Sequence, residues 1–366
     1  MDLASDMLFK ELAAQRDGLI PSRIRPRFVR RFTRFGPTSA KHLFNADRLL
    51  NRFLDYPRYL RQRIGEFDLF HVVDHTYAHL VSVAGGKRCV VTCHDIDAFR
   101  AALEANCDRG SWLMAKMARR IIDGLRGAAA VSCDSAATRD DLVRYRLAPD
   151  ERLSVNPNGV AEVFTHRTDP CADAAARRLL GAPKRDRFEI VNVGSTIPRK
   201  RIDVLLRLFA ALRREMAGAR LIRVGGALTP SQRQLMRELD LPADSIVETP
   251  FVPREVLAAI YRHAAIAVLP SQYEGFGFPA LEAQACGTPV VLSDIAALRE
   301  IGGPAATFCS VADVQQWTEA ILTLAQERRE NARQRRERVE AGIRWAARFT
   351  WKDHAQRVVQ LYQSIC

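Results

Sequence analysis

The sequence predicts an α/β protein of two domains, each a parallel sheet flanked by helices, and three observations carry that expectation. Its 366 residues are too many for one ordinary core and suit two domains of roughly 150 to 180 residues. Short apolar runs, bounded by glycine or polar residues, recur with helix-like segments between them, which is the pattern of strands buried on both faces. Residues 268–294, VLPSQYEGFGFPALEAQACGTPVVLSD, read as strand, glycine-bearing loop, helix and strand, the unit from which such sheets are built.

Taken in order, Leu3, Met7, Leu8 and Leu12 have helical spacing, so the chain begins with a helix where an α/β domain would ordinarily begin with a strand. After an Arg-rich stretch and a helical region reaching Arg63, strands are expected at residues 68–74, 88–94 and 128–135, then a helix over 135–145. Asn158-Gly159 marks a turn near the end of a first domain covering residues 1–165. Residues 166–187 are polar, Pro-bearing and irregular in period, and read as a linker. A second domain, 188–350, follows with strands at 188–193, 219–224, 245–249, 265–269, 289–293 and 305–310. Its helices include residues 202–214 and one opening at Pro279, where the missing N–H is no loss; Gly287 and Pro289 end that helix. Residues 351–366 form a terminal helix containing Tyr362.

Charge narrows the partners. A net charge of +13 calls for an anionic one, and the densest cluster, Arg23, Arg25, Arg27, Arg30, Arg31 and Arg34, is interleaved with Phe28, Phe32 and Phe35. Basic and aromatic groups presented together suit peripheral contact with an anionic membrane face, and also single-stranded nucleic acid, which is the weaker reading; a solvated basic face is the bland one. No apolar run reaches the length of a membrane span and the start lacks the features of a signal peptide, so a cytoplasmic protein is expected. The eight cysteines contain no CxxC pair and mostly sit in apolar runs, as reduced core cysteines do.

Several residues are placed where chemistry gathers, at the carboxyl ends of parallel strands. Backbone N–H groups of Phe276, Gly277 and Phe278 would crowd the positive end of a helix dipole, a ready site for phosphate or sugar oxygens. Glu274 in that loop and Glu282 one turn into the helix could accept hydrogen bonds from hydroxyls at two places on one ligand, although a helical glutamate is more often a solvated charge. Gly194 and Ser195, followed by Arg199 and Lys200, lie at a strand-to-helix junction that can cradle a diphosphate. His71, His75 and His79 straddle a strand-to-loop transition and so lack the shared helical face that a zinc motif requires; no metal is expected.

The segment PSQYEGFGFPALEAQACGTPVV closely resembles the E-x7-E signature of the retaining glycosyltransferases of family 4, which have the GT-B fold: two Rossmann-like domains facing a cleft. The likeness spans about residues 68 to 366, is stronger in the second domain, and implies a hexose transferred with retention from a nucleotide diphosphate sugar, without a metal ion. It implies that Glu274 contacts the donor sugar, Glu282 the ribose, Lys200 the diphosphate, and Phe251 and Val252 the base. An arginine expected after Gly194 is replaced by Ser195, leaving Arg199 or Arg201 to compensate. VTCHD resembles the family strand that ends in a histidine facing the reacting sugar, which makes His94 a further site residue; a structural strand-end histidine is the alternative. Asp95 and Asp97 match the DxD cation motif of the other large glycosyltransferase fold, a short and weak signal that the E-x7-E context opposes. The family's opening strand and glycine-rich loop are absent before the first helix, so a non-catalytic nucleotide-sugar-binding or scaffold protein is the alternative. QYEGFGFP favours GDP-mannose over a UDP-sugar, and the acceptor implied is a saccharide or lipid-linked saccharide.

Overall fold

Ten strands build two all-parallel sheets among the residues that the computed structural model describes, namely 2–14, 18–34, 41–85, 88–97, 100, 103, 112–181 and 187–366. The sheets belong to two units, one of residues 1–158 with 351–366 and one of residues 159–350.

In the first unit the strands β1 (Phe70–Val72), β2 (Cys89–Cys93), β3 (Ala130–Cys133) and β4 (Leu153–Val155) lie side by side in chain order. The runs CVVTC and AVSC are buried throughout, which is why they show no polar alternation. Helices α1 (Asp2–Ala14) and α13 (Trp351–Gln363) share one core, where Leu8 and Leu12 meet Val90, Ala130, Val358, Val359 and Tyr362. Among the described residues no strand precedes β1. Helix α2 (Lys41–Leu50) runs into a π-helical turn, Asn51–Asp55, and on into the helix Tyr56–Arg61. The buried Asp47 of α2 accepts from the backbone N–H groups of Arg31 (2.9 Å), Phe32 (3.0 Å) and Thr33 (3.0 Å). Asn51 bonds both backbone groups of Val29, so the Arg-rich segment is lashed to α2. Of its sequence-predicted aromatic residues, Phe35 lies outside the described residues. Helices α3 (Trp112–Gly127) and α4 (Ala136–Arg144) flank β3, and Ser135 caps α4 by accepting from the Thr138 N–H.

The second unit begins at Gly159, and here the expectation of a linker fails. Residues 166–187 contain helix α5 (Pro170–Leu180), started by the Asp169 side chain accepting from the N–H groups of Cys171 and Ala172. Ala172, Ala176 and Leu180 form its buried stripe; alanines four apart carry a weak hydrophobic signal, yet they let the helix pack closely on the core. The sheet has the order β10 (Thr307–Cys309), β9 (Val290–Ser293), β8 (Ile266–Leu269), β5 (Phe188–Gly194), β6 (Ala219–Gly225), β7 (Ile246–Thr249). On one face lie α5, α8 (Arg254–His263) and α9 (Phe278–Ala285); on the other, α6 (Ile202–Glu215) and α11 (Val314–Glu330). Order reverses between β5 and β8, the kind of switch point at which α/β sheets bind ligands. Also in this unit are α7 (Pro230–Glu238), α10 (Ala296–Gly302) and α12 (Ala332–Ala346).

Cys89, Cys93, Cys133, Cys286 and Cys309 are buried thiols; Cys171 and Cys366 are exposed, contrary to a uniform core reading, and Cys107 lies outside the described residues.

Candidate functional site

At the switch point two loops meet. The loop after β5 carries residues 195–201 and the loop after β8 carries residues 270–277; the Gln272 N–H donates to the Arg199 carbonyl at 2.8 Å and ties them together. Glu274, 6% exposed, sits between them. Its Oε1 accepts from Lys200 Nζ at 2.5 Å and Ser271 Oγ at 2.7 Å, and its Oε2 from Arg199 Nη1 at 3.3 Å. Arg199 Nη1 also donates to the Tyr273 carbonyl at 3.0 Å. A buried carboxylate is stable here because two cations and a hydroxyl satisfy it. The structure also separates the two candidate arginines: Arg201 folds back on Asp203, whereas Arg199 faces Glu274. Ser195 is half-buried beside them, and the Lys200 chain runs past Gly194.

Gly277 opens α9 with a left-handed φ of 104°, and a side chain there would overlap Leu298 of α10, so glycine alone suits the position. No side chain caps the N-terminus of α9, which leaves its dipole to act on whatever lies before it. Phe276 is buried and packs edge-on against Phe278 at 5.0 Å; its contribution to a ligand is therefore through its backbone. Glu282 is buried between α9 and α8, and Tyr261 Oη donates to its Oε2 at 3.1 Å. Burial, ahead of that bond, pushes its carboxyl up to about 7. Phe251, after β7, is 71% exposed, and Val252 beside it is half-buried.

The first unit holds His94 at the carboxyl end of β2. Its Nδ1 bonds Asp134 Oδ2 at 2.7 Å, at the end of the adjacent β3, and its Nε2 bonds the Val73 carbonyl at 3.0 Å. Burial opposes a charge on this ring, but the Asp134 carboxylate and the two acceptors outweigh it and raise the imidazole to about 9. His94 is thus an imidazolium with both N–H groups engaged, not the neutral donor-and-acceptor ring that the sequence suggested. Asp134 was missed in the sequence; the signal available was an acid at the end of a predicted strand. Ser271 and Tyr261 were missed too, and nothing in their spacing marks them.

The three histidines near β1 go separate ways. His71 bonds Tyr362 Oη (2.6 Å) and Thr92 Oγ1 (2.7 Å), His79 bonds the Arg52 carbonyl (2.9 Å), and His75 accepts from the His94 N–H (3.3 Å). Among the described residues no three His, Cys, Asp or Glu side chains are grouped to hold a metal ion. Asp95 turns onto the Asp97 N–H at 3.0 Å.

Comparison with known proteins agrees with this layout. The profile of the glycosyl transferases group 1 matches residues 180–343, and that of glycosyltransferase family 4 matches residues 12–164. D-inositol 3-phosphate glycosyltransferase from Thermobispora bispora is 35% identical over 239 residues, 61% of this chain and 53% of that protein. The chain spans about half the length of the curated relatives it matches. Among solved structures, sucrose-phosphate synthase from Thermosynechococcus elongatus aligns with a TM-score of 0.71 at 22% identity, covering 99% of this chain and 92% of that one. The Anabaena protein HepE, in complex with UDP and glucose, aligns with a TM-score of 0.70 at 18% identity, over 86% and 83%. These likenesses show the fold, GT-B, and with both profiles the chain belongs to the group 1, family 4 glycosyltransferases.

Proposed function

We propose that the protein transfers a hexose from a nucleotide diphosphate sugar to an acceptor hydroxyl, with retention and without a metal ion. The observation that carries this reading is the buried Glu274 held by Lys200, Arg199 and Ser271, beside the uncapped N-terminus of α9. When the anomeric C–O bond breaks, negative charge builds on the departing diphosphate. Lys200 has three donors, so it can keep Glu274 and still offer an N–H to a phosphate oxygen; Arg199 and the backbone N–H groups of Gly277 and Phe278 add to the same field. Glu274, fixed by these contacts, orients the sugar. Glu282 holds the ribose, and the exposed ring of Phe251, with Val252, offers a surface for the base. His94 supplies positive charge in the first unit; a direct bond to a sugar hydroxyl requires one of its N–H groups to leave its present acceptor.

The motif QYEGFGFP supports GDP-mannose as donor, whereas the UDP and glucose bound to HepE support a UDP-sugar. The relatives' name, D-inositol 3-phosphate glycosyltransferase, supports a polyol or saccharide acceptor, and the basic segment at residues 23–34 supports a lipid-linked saccharide met at the cytoplasmic face of a membrane. Thermal shifts against UDP-, GDP-, ADP- and TDP-sugars, followed by transfer assays and the anomeric configuration of the product, test the reading. Glu274→Ala and Lys200→Ala are each expected to lower transfer by about tenfold or more while leaving the fold intact, the effect of losing a contact strengthened in the transition state. Full activity in either variant refutes the site, and donor binding without transfer to any acceptor points to a non-catalytic binder.

A further inference from the structure

Arg52 lies on the π-helical turn Asn51–Asp55, a rare helical form found disproportionately at functional sites. Its guanidinium stacks over the Tyr77 ring, 4.7 Å from the centroid, and near the Phe53 ring at 5.4 Å. Tyr77 follows β1 at its carboxyl end and stacks in turn on Tyr56, with centroids 6.1 Å apart. Two nitrogens of Arg52, Nε and Nη2, are shut off from solvent and have no hydrogen-bond partner. The guanidinium of Arg120, from α3, lies 5.6 Å from the same Phe53 ring, and Arg48 is close enough to act on the Arg52 charge. None of these three arginines forms an ion pair among the described residues. The nearby carboxylates are engaged elsewhere: Asp55 pairs bidentately with Arg31, at 2.7 Å for each bond, and Asp74 caps the Thr76 N–H at 2.9 Å.

A desolvated guanidinium whose donors the fold leaves unmatched, with two like charges nearby, is a costly arrangement that an anion would relieve. We propose that Arg52, with Arg48, Arg120 and Tyr77, forms an anion subsite in the first unit that takes a phosphate monoester. A tetrahedral dianion suits a planar fork flanked by further cations, and the Tyr77 hydroxyl adds a donor. The subsite rests on the transferase reading only in that its occupant would be a phosphorylated acceptor; phosphate binding itself requires no donor, so its failure is separate from failure of transfer.

Titration calorimetry of the full chain with inorganic phosphate, with myo-inositol 3-phosphate and with vesicles containing a phosphoinositide tests this, in wild type, Arg52→Met and Arg52→Lys. Arg52→Met is expected to weaken phosphate binding by about tenfold or more, as loss of a charge-assisted bond does, with Arg52→Lys intermediate. Melting temperature and nucleotide-sugar binding should stay unchanged in both. Tighter binding of the inositol phosphate than of free phosphate identifies a soluble phosphorylated acceptor as the source; binding confined to the vesicles identifies a lipid headgroup. Should Arg52→Met fold poorly, Arg120→Met, on the exposed side of the cluster, is expected to weaken the same binding several-fold. Equal affinity in wild type and in the folded variants overturns the proposal, as does failure of wild type to bind any of the three probes. A lowered melting temperature with unchanged phosphate affinity shows the Arg52–Tyr77 stack to be structural only, and overturns it too.

Discussion

Glu282 and Glu274 are carboxylates of one short motif in opposite environments. Glu274 is surrounded by cations, whereas the Glu282 carboxyl has the Tyr261 hydroxyl as its donor in apolar surroundings, and burial pushes it up to about 7 from an ordinary 4.5. Between those two pH values the unfolded chain has given up a proton that the folded one retains. Stability therefore falls as pH rises through that window and levels off above it. Glu282→Gln removes this titration. It is expected to melt higher than wild type at pH 8, by about 2 to 3 kcal/mol of stability, and level with it near pH 4. It should nevertheless bind nucleotide more weakly, because an amide replaces one acceptor of the ribose hydroxyls with a donor. Thermal melts across that pH range check the first half, and a pH profile unchanged by the substitution contradicts it. A residue that lowers stability at working pH is consistent with one kept for a ligand.

At the scale of elements, the segment at residues 23–34 is positioned rather than loose. Burial works against the Asp47 charge, but the N–H groups of Phe32, Thr33 and Arg31 and the Thr33 hydroxyl hold its carboxyl well below the usual range. Held there, Phe28, Val29 and Phe32 stay exposed with Arg27 and Arg30, and Phe28 stacks on the exposed Phe44 of α2 at 5.6 Å. Apolar rings ringed by arginine suit an anionic bilayer. Co-sedimentation with phosphatidylglycerol vesicles should exceed that with phosphatidylcholine vesicles, fall with salt, and drop about tenfold in a Phe28→Ser, Phe32→Ser double variant. Equal binding to both vesicle types removes the idea. The strands and the loop-helix at residues 268–294 were legible in the sequence because buried parallel strands are short unbroken apolar runs with glycine at their ends. Helix α5 was not, since Ala172 and Ala176 give little hydrophobic signal, and β4 is a three-residue, half-buried edge. Nor could spacing show that Lys200 grips Glu274 or that His94 meets Asp134. The first pairing arises because β5 lies beside β8, far along the chain, and the second because β2 lies beside β3.

The whole chain returns on itself, and residues 351–366 complete the unit that residues 1–158 begin. Helix α13 supplies Val358, Val359, Leu361 and Tyr362 to the core around Leu8, Leu12, Val90 and Ala130. It also satisfies buried polar groups: Tyr362 Oη bonds His71 Nδ1 at 2.6 Å, and His354 Nδ1 bonds the carbonyls of Asn156 and Pro157 at 3.1 Å each. At roughly 1.5 to 3 kcal/mol for each large apolar side chain, loss of those four removes about 6 to 12 kcal/mol, comparable with the entire stability of a typical domain. The second unit, with its own two core clusters and every residue of the Glu274 cluster, draws on none of these contacts. A chain ending at Thr350 is therefore expected to lose the melting transition of the first unit and keep that of the second, together with binding of the nucleotide diphosphate. Calorimetry and hydrogen exchange distinguish the outcomes. Protection lost throughout residues 70–155 but kept throughout 188–309 fits the division, whereas simultaneous loss of both shows that the closing helix stabilises the molecule as one cooperative body.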